Sequence, residues 1–473
     1  MKGKINIVVR RIMIGLLVVG IITAGLIGLS SLFGSDSPDE AGATITVYYV
    51  SSAEHVSYFP QMIEKAAFPE DLSLDIREFE SYTALQQTIE EEGMPDLLLL
   101  DEWDGQHLID PRKLAEEERL CPLDLYLAVE EATGSYQADD YFPGTMETGR
   151  IQDRQMMLPL TVRTTYWITT EKKADLIREI SCREEFDVLA WMQTVCAIKE
   201  ENQTNNTILP VGSSILSLGQ SMEEILRQTG VVMIDLERGR YVADRDTVKT
   251  AVDYLRVYSQ DYRAYWEETY SKGAPGYQEL IDRYELIQPN ANMPFYVRYW
   301  YSANKQLGKE TPTVLWTLPL YDSDEEAYQV AVGAYALVGA GTGHEEAAYQ
   351  AARALMDVSS EAWLGAILSD PVIYMTSVNR ETFLQEVADV QVTDVGSFKL
   401  NPQTVFGRKK LSEELGQQMN EWAMHVTSAY APDPLLQEIL EKDFRAYITG
   451  VSDDFDSAYE ALLEDIIRLY EKR

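Results

Sequence analysis

The chain has 473 residues, with 40 Lys and Arg against 77 Asp and Glu, which gives a formal net charge of -37 at pH 7. This length exceeds the size at which one hydrophobic core keeps growing, so we expect two or more lobes. A surface this acidic repels nucleic acid and anionic membranes, which argues against a nucleic-acid partner and against a strongly anionic ligand.

The N-terminal segment predicts a membrane anchor. Residues Ile12 to Phe33 carry no charged side chain, and the residues before them are basic at Lys2, Lys4, Arg10 and Arg11. As a helix this run spans about 33 Å, enough to cross a bilayer. The basic flank places that end in the cytoplasm and the large domain outside.

A cleavable signal peptide is the alternative interpretation of this segment. The apolar core of a signal peptide is usually about 7 to 15 residues long, so the length of the run favours an uncleaved, single-pass anchor. We therefore predict an anchor or signal helix over 1–34 and a polar tether over 35–43.

Strand and helix patterns alternate after the tether. ATITVYYV and LSLDIREF are strand-like, and a helical pattern follows each, the second ending at Gly93. The next stretch, MPDLLLLDEWDG, places four leucines between a proline and a glycine, which is typical of a strand buried on both faces. This order predicts a parallel sheet with crossover helices. Loops at the carboxyl ends of such strands line ligand crevices, so the acidic cluster after the leucines marks a candidate site.

The rest of the chain adds further strands and many helices. MMLPLTVRTTYWITT predicts one long strand, and a mostly helical region follows, including Thr247 to Tyr262. TPTVLWTLPLY and YQVAVGAYALVGAG predict strands again, and the remainder of the chain is chiefly helical.

Neither a cofactor nor a metal site is predicted. The histidines are scattered without ligand spacing, at His55, His107, His344 and His425. GAGTGH lacks the third glycine of the dinucleotide pattern and the ending of a phosphate loop, so it predicts a plain strand-to-helix turn. The cysteines are Cys121, Cys182 and Cys196. An extracytoplasmic protein can oxidise the last two, but the odd count favours buried thiols.

Several stretches follow one another in the order of a known family. They are MPDLLLLDEWDG, CPLDLYL, LPLTVRTTYWITTEKKADL, GVVMIDLERGRYVADRDTVKTAVDYLRVYSQD, LWTLPLYDSDEEAYQVAVGAYALVGAGTGHEEAAYQAARALMD, IYMTSVNRETF and RAYITGVSDDFDSAYEALLEDIIRLYEK. Together they cover most of Thr44 to Arg473. The chain thus resembles the extracellular solute-binding proteins of ABC transporters, in the carbohydrate-binding family that includes maltose-binding protein.

The sequence departs from that family in two places. Gram-positive members usually carry a lipidated cysteine after the signal segment, whereas no cysteine precedes Cys121 here. Anchoring then rests on the N-terminal helix. Arg298 and Tyr299 stand where a glycine usually precedes the tryptophan equivalent to Trp300, a difference that bears on the ligand class.

The resemblance implies an α/β, two-lobed periplasmic-binding-protein-like fold, with the ligand held in an interlobe cleft by hinge closure. It places crossovers near Arg163, near Thr311 to Leu320 and near Pro371 to Thr376. Lobe I then comprises 44–162 and 320–372, and lobe II comprises 163–319 and 373–473. The implied partners are a small-molecule ligand, ABC permease subunits and the membrane, and the implied protein is a monomer without a cofactor.

Trp103 and Asp104 are the first candidates for ligand binding. An indole face stacks on the C–H side of a pyranose while a carboxylate accepts hydrogen bonds from its hydroxyls. The alternative is structural, with Asp104 capping a helix and Trp103 packing against it. The remaining ligand-binding candidates are Glu54, Arg163, Tyr166, Trp300, Tyr301 and Tyr335.

These candidates also have interpretations that involve no ligand. Glu54 suits a solvated loop charge, and FYVRYWY around Trp300 and Tyr301 suits a core strand with an ordinary aromatic face. By the two-residue period of a strand, Arg163 and Tyr166 face opposite sides, so only one of them reaches the cleft directly.

The predicted function is a membrane-tethered, extracytoplasmic solute-binding protein that captures a neutral oligosaccharide for an ABC importer, and not an enzyme. One alternative is a surface-anchored glycoside hydrolase that uses Asp101, Glu102 or Asp104 as paired carboxylates. Another is a ligand sensor that signals to a membrane partner without a permease.

Overall fold

A computed structural model of the protein describes residues 42–51, 57–101, 109–164, 166–181, 211–213, 222–224, 226–227, 234–235, 240–241, 245–253, 255–256, 286–288, 293–317, 327–358, 376–401 and 404–471. The chain divides into two compact units. The first is Met1–Thr44 with Glu70–Ser73, where the amide of Ser73 donates a hydrogen bond to the carbonyl of Ala43 (2.8 Å). The second, Ile45–Pro69 with Leu74–Arg473, contains the cores and candidate residues discussed below.

The strands in chain order are β1 Thr44–Val50, β2 Ser73–Phe79, β3 Leu97–Asp101, β4 Arg150–Ile151, β5 Arg154–Gln155, β6 Met157–Arg163, β7 Tyr166–Thr169, β8 Val211–Ser213, β9 Ile234–Asp235, β10 Arg240–Tyr241, β11 Leu286–Gln288, β12 Val314–Thr317, β13 Tyr328–Val338, β14 Thr376–Ser377, β15 Ser397–Asn401, β16 Thr404–Gly407 and β17 Val426–Tyr430. The larger helices are α1 Phe59–Lys65, α2 Tyr82–Glu92, α3 Pro111–Glu116, α4 Asp124–Thr133, α5 Glu171–Ser181, α6 Met293–Gln306, α7 Glu345–Met356, α8 Arg380–Val392, α9 Glu413–His425, α10 Pro434–Ile448 and α11 Phe455–Glu471. Residues 222–224, 226–227, 245–253 and 255–256 are also helical.

The main sheet has seven strands in the order β14-β6-β13-β3-β1-β2, with β17 paired to β13 beside this path. Strand β3 is buried at all five residues, as its run of leucines predicts. It pairs parallel with β1 and antiparallel with β13. The parallel pairing predicted for the first strands is therefore confirmed for β1 and β3, and β13, for which no direction was predicted, runs antiparallel. The chain reaches β13 only after passing through a second sheet, so no β-helix-β crossover dictates the direction of that strand.

Helix α2 shows how local signals set the ends of an element. The Ser81 hydroxyl accepts a hydrogen bond from the amide of Ala84 (3.2 Å), which satisfies a donor that the first helical turn leaves open. The helix ends at Gly93, whose φ of 99° favours glycine. The inward face carries Leu85 and Ile89, both buried as predicted.

A second sheet begins where one long strand was expected. The main-sheet strand β6 ends at Arg163, and the next strand, β7, begins at Tyr166 in a four-stranded sheet of order β12-β7-β11-β8. The expectation of one strand from Met156 to Thr170 is therefore wrong. The chain leaves the main sheet at the first expected crossover. The lobe boundaries themselves stay a prediction.

A helical core lies apart from the main sheet's own strands. Met222 and Leu226 pack there with Val252 and with residues of α10 and α11, including Leu440 and Phe444. Its members from residues 248–255 recur at helical spacing, as the pattern in Thr247 to Tyr262 predicts for the part of that segment that is described. This core contributes hydrophobic stabilisation independently of the sheet.

Asp96, just before β3, fastens three segments. Its carboxylate accepts hydrogen bonds from the amide (2.7 Å) and the hydroxyl (2.9 Å) of Thr46 and lies 3.3 Å from Nδ1 of His344. Burial raises the pKa of this carboxyl, but the hydrogen bonds from Thr46 and Thr342 and the charge of His344 outweigh burial, so the pKa is lowered overall. GAGTGH thus forms the predicted strand-to-helix turn, held against β1.

We expect Asp96→Asn to lower the free energy of unfolding by about 2 kcal/mol near neutral pH, because the charge-assisted bonds to Thr46 weaken. A carboxyl whose folded-state pKa is lowered contributes stability above its unfolded-state pKa and loses it as the pH falls through the folded-state value. The stability gap between wild type and variant should therefore shrink from about pH 6 to about pH 3 in denaturant titrations. A gap that stays constant over this range contradicts the assignment.

Candidate functional site

Three strands of the main sheet end at the same edge. Strands β1 and β3 are parallel, and β13 is antiparallel to both β3 and β6. It follows that β1, β3 and β6 all point their carboxyl ends to one edge. Along the chain, Glu54 follows β1, and Trp103 and Asp104 follow β3. These three residues, with Glu102, lie outside the described residues.

Asp101, the last residue of β3, is buried at this edge. It is 1% exposed, and the Tyr82 hydroxyl donates a hydrogen bond to its Oδ1 (2.9 Å). Burial, and then the charge of Asp101, raise the pKa of Tyr82 well above its ordinary value. The carboxylate therefore ties the start of α2 to the end of β3.

Arg163 ends β6 at the same edge and is also buried, at 7% exposed. Its backbone pairs with Ala331 of β13, and its Nη1 lies 3.7 Å from Oε2 of Glu224. Burial raises the pKa of Glu224, and the positive charge of Arg163 opposes that rise. The arrangement is a shielded ion pair at the point where the chain leaves the sheet.

Tyr166 begins β7 and is fully buried opposite Thr317 of β12. Burial raises its pKa well above the ordinary value. Because Arg163 and Tyr166 belong to strands of two different sheets, the expected alternation of their side chains along one strand does not apply.

Trp300 and Tyr301 lie on helix α6, so the core-strand interpretation of FYVRYWY is wrong. Both are buried, and Nζ of Lys305 lies 5.2 Å from the centre of the Tyr301 ring. An i, i+4 pair of this kind is a helical contact. The neighbouring aromatic residues misled the prediction because aromatic runs favour strands by propensity, whereas packing here favours a helix.

Tyr335 lies in the middle of the sheet. It is 1% exposed and opposes Leu100 of β3 on one side and Pro159 of β6 on the other. Its neighbour Ala334 opposes Asp101, so Tyr335 is one residue inward from the edge where the candidate loops begin. The structure thus brings Arg163 and the carboxyl ends of β1 and β3 to one edge, with Tyr335 behind it.

A group of polar residues at this edge was missed by sequence reasoning. Glu223 and Glu224 lie on one helical turn with Arg227, whose Nε donates to Oε1 of Glu223 (2.9 Å). Tyr430 ends β17 opposite Ala331, the residue that Arg163 opposes from the other side. No motif marks these residues. The signal in the sequence is limited to a pair of adjacent acids between Met222 and Leu226.

The predictions for the N-terminal segment and for two of the cysteines fall on residues that are not described, and those for metal ligands can be checked only among the residues that are. The apolar segment Ile12 to Phe33 is not described, and among the residues that are, no helix is long and apolar enough to cross a membrane. The described part of the chain likewise contains no group of three potential metal ligands. Cys182 and Cys196 are not described, and Cys121 is a half-buried free thiol whose pKa burial raises.

Sequence comparison finds no protein-family model and no curated protein that matches the chain. Solved structures do match it. The sugar-binding protein MalE from Xanthomonas citri superposes with a TM-score of 0.58 at 14% identity, over 91% of this chain and 98% of that one. An extracellular solute-binding protein of family 1 from Alicyclobacillus acidocaldarius gives 0.53 at 13% identity, over 92% and 100%.

A third similar structure is the cyclic α-maltosyl-1,6-maltose binding protein from Arthrobacter globiformis, with a TM-score of 0.53 at 14% identity, over 91% of this chain and 100% of that one. At such identities the likeness concerns the fold, and function has to be argued from the site. The resemblance noted in the sequence is confirmed at this level. The chain therefore has the α/β periplasmic-binding-protein-like fold of the extracellular solute-binding proteins.

Proposed function

We propose that the protein is an extracytoplasmic solute-binding protein that captures a neutral oligosaccharide and presents it to an ABC importer. In this proposal the N-terminal apolar segment holds the protein at the outer face of the cell membrane as a single-pass anchor. Ligand binds by closure of two lobes, because aromatic and polar groups from both lobes meet only around it.

The observation that carries the proposal is the common edge of the main sheet. Strands β1, β3 and β6 end there, the last with the buried Arg163, and Glu54, Trp103 and Asp104 are the residues that follow β1 and β3 along the chain. The fold is shared with proteins named for sugar binding. Loops at the carboxyl ends of strands are the usual ligand sites of α/β sheets. The net charge of -37 favours an uncharged ligand.

The proposal is tested by thermal unfolding of the full-length protein with a panel of oligosaccharides. The panel contains linear maltooligosaccharides, cyclic α-maltosyl-1,6-maltose, and cello- and xylo-oligosaccharides. A ligand at a hundredfold excess over its dissociation constant adds about 2.7 kcal/mol to the stability of the folded state, which is readily seen as a higher melting temperature. If no glycan raises the melting temperature while the protein unfolds cooperatively, carbohydrate binding is refuted.

The proposal is of a binding protein and not of an enzyme. A retaining or inverting glycosidase needs two carboxyl groups that face each other about 5 to 9.5 Å apart around the substrate. Asp101, one of the acids considered for that role, is buried and bonded to Tyr82. Incubation of the bound oligosaccharide with the protein should therefore release no new reducing ends. Release of product would instead favour the hydrolase.

The proposed importer partnership has its own test. Purification of the membrane-embedded protein in mild detergent should recover permease subunits in the presence of ligand. Recovery of a sensor kinase in their place would favour a signalling role and contradict the transport role.

A further inference from the structure

Two adjacent glutamates lie where the chain twice leaves the main sheet. The first exit follows Arg163, with residues 164–165 before β7. The second follows Tyr430, with residues 431–433 before α10, which belongs to the helical core. Because Arg163 and Tyr430 oppose Ala331 from its two sides, both exits leave the sheet beside the same residue of β13.

Glu224 holds the first exit. Its Oε2 lies 3.7 Å from Nη1 of Arg163, and both side chains are largely shielded from solvent. Glu224 belongs to a helical turn whose neighbours Met222 and Leu226 are buried in the helical core. The ion pair therefore joins the end of a sheet strand to the helical core.

Glu223 holds the second exit. Its two carboxylate oxygens each accept a hydrogen bond from the amide of Asp433 (3.1 Å), and Oε2 also accepts from Nε2 of Gln437 (2.7 Å). Arg227 adds a bond to Oε1, and its guanidinium lies 4.8 Å from the centre of the Tyr430 ring. One helical turn thus contacts the last residue of β17, the connecting backbone and the start of α10.

We propose that Glu223 and Glu224 act as positioning residues, forming a clamp that ties both exits to the helical core and restricts the bending of the chain between the sheet and that core. The clamp contacts the exits and not the ligand. A single helical turn that holds both connections makes them bend together, so that closure follows one path. This inference rests on the proposed function, because a solute-binding protein closes around its ligand by bending at the connections between its lobes.

The ion pair in the clamp favours one geometry more than it adds overall stability. A buried ion pair contributes little net stability relative to an apolar pair, yet removing one partner leaves a shielded charge and is costly. Such pairs therefore suit a specific geometry better than general stabilisation. If the clamp is loosened, the free protein populates more arrangements of the sheet and the helical core. The apparent affinity for ligand then falls in proportion to the fraction of molecules in the binding-competent arrangement.

The inference is tested by spin-label distance measurements on the full-length protein without ligand. Labels at Glu131→Cys, on α4, and Glu460→Cys, on α11, sit at exposed positions, in a background with the three native cysteines replaced by serine. We expect a narrow distance distribution in this background and one at least about twice as wide in Glu224→Gln and in Arg163→Met. Arg163→Lys, which keeps the charge, should stay narrow. Glu441→Gln removes an exposed ion pair within α10 and should also stay narrow.

Equal widths in all folded variants would overturn the clamp. If Glu224→Gln does not fold, hydrogen exchange of the wild-type protein without spin labels tests the clamp instead. The Asp433 amide should exchange at least about tenfold more slowly than an exposed loop amide. Fast exchange at Asp433 would equally overturn it. Neither measurement requires a ligand, so a failure of sugar binding in the glycan panel stays distinguishable from a failure of the clamp.

Discussion

Trp103→Ala is expected to weaken oligosaccharide binding by about tenfold to a hundredfold while leaving the melting temperature of the free protein nearly unchanged. The proposed loss is that of an aromatic platform for a sugar ring, and a tenfold to hundredfold change in affinity corresponds to about 1.4 to 2.8 kcal/mol. Isothermal titration with the best ligand of the glycan panel measures the effect. Trp103→Phe should recover part of the affinity, because it keeps an aromatic face.

Leu125→Ala is the matched control for that experiment. Leu125 is an exposed apolar residue near the start of α4, and the neighbouring Leu123 bonds to Gln155, just before β6. It therefore lies toward the opposite end of the sheet from Arg163, and its loss should leave affinity unchanged. If Trp103→Ala also leaves affinity unchanged, the Trp103 loop only caps a helix and the proposed contact is wrong.

Trp422→Ala is expected to lower the free energy of unfolding by about 3 to 5 kcal/mol, the usual cost of deleting a large core aromatic side chain. Trp422 is 2% exposed, and its ring centre lies 5.5 Å from that of Phe142 and 5.3 Å from that of Phe383. The cluster joins α9 to α8 and to the segment before β4. Since α9 leads directly into β17, loss of the cluster should also disturb the position of Tyr430.

Denaturant titration of Trp422→Ala and Trp422→Phe measures this effect. Phenylalanine keeps most of the ring contacts, so its loss of stability should be well under that of alanine. A loss for Trp422→Ala within about 1 kcal/mol of zero would mean that the three rings do not form a shared core.

The first three strands of the main sheet and the helices between them could be predicted from local patterns, whereas β14 and β17, in the part predicted to be chiefly helical, were missed. LLLLD became a fully buried strand, and Gly93 marked the end of α2. These signals act over a few residues, through burial on both faces, capping and backbone conformation, so they can be recognised without a partner. The local pattern failed around Trp300. Its aromatic residues suit a strand or a buried helix equally well, and tertiary packing determines that the segment is a helix.

The candidate site could be predicted only in part. Glu54, Trp103 and Asp104 were chosen because they follow strands, and Arg163 because it lies on the expected crossover strand. The strand directions bring the carboxyl ends of β1, β3 and β6 to one edge. Glu223 and Glu224 could not be predicted as site residues. Their partners are remote in sequence, since Arg163 precedes them and Asp433 follows them by many residues. No local pattern records a contact of that kind.

The sequence by itself determined an α/β organisation and the buried strand of leucines, because periodicity is a local property of the chain, and the order of its segments carried the resemblance to the two-lobed solute-binding proteins. It also determined the acidic surface, which follows from composition alone. Only the tertiary structure decided that β13 runs antiparallel to β3, that the chain changes sheets between Arg163 and Tyr166, and that one helical turn holds both exits. Those features depend on contacts between distant segments, and such contacts form only when the whole chain packs.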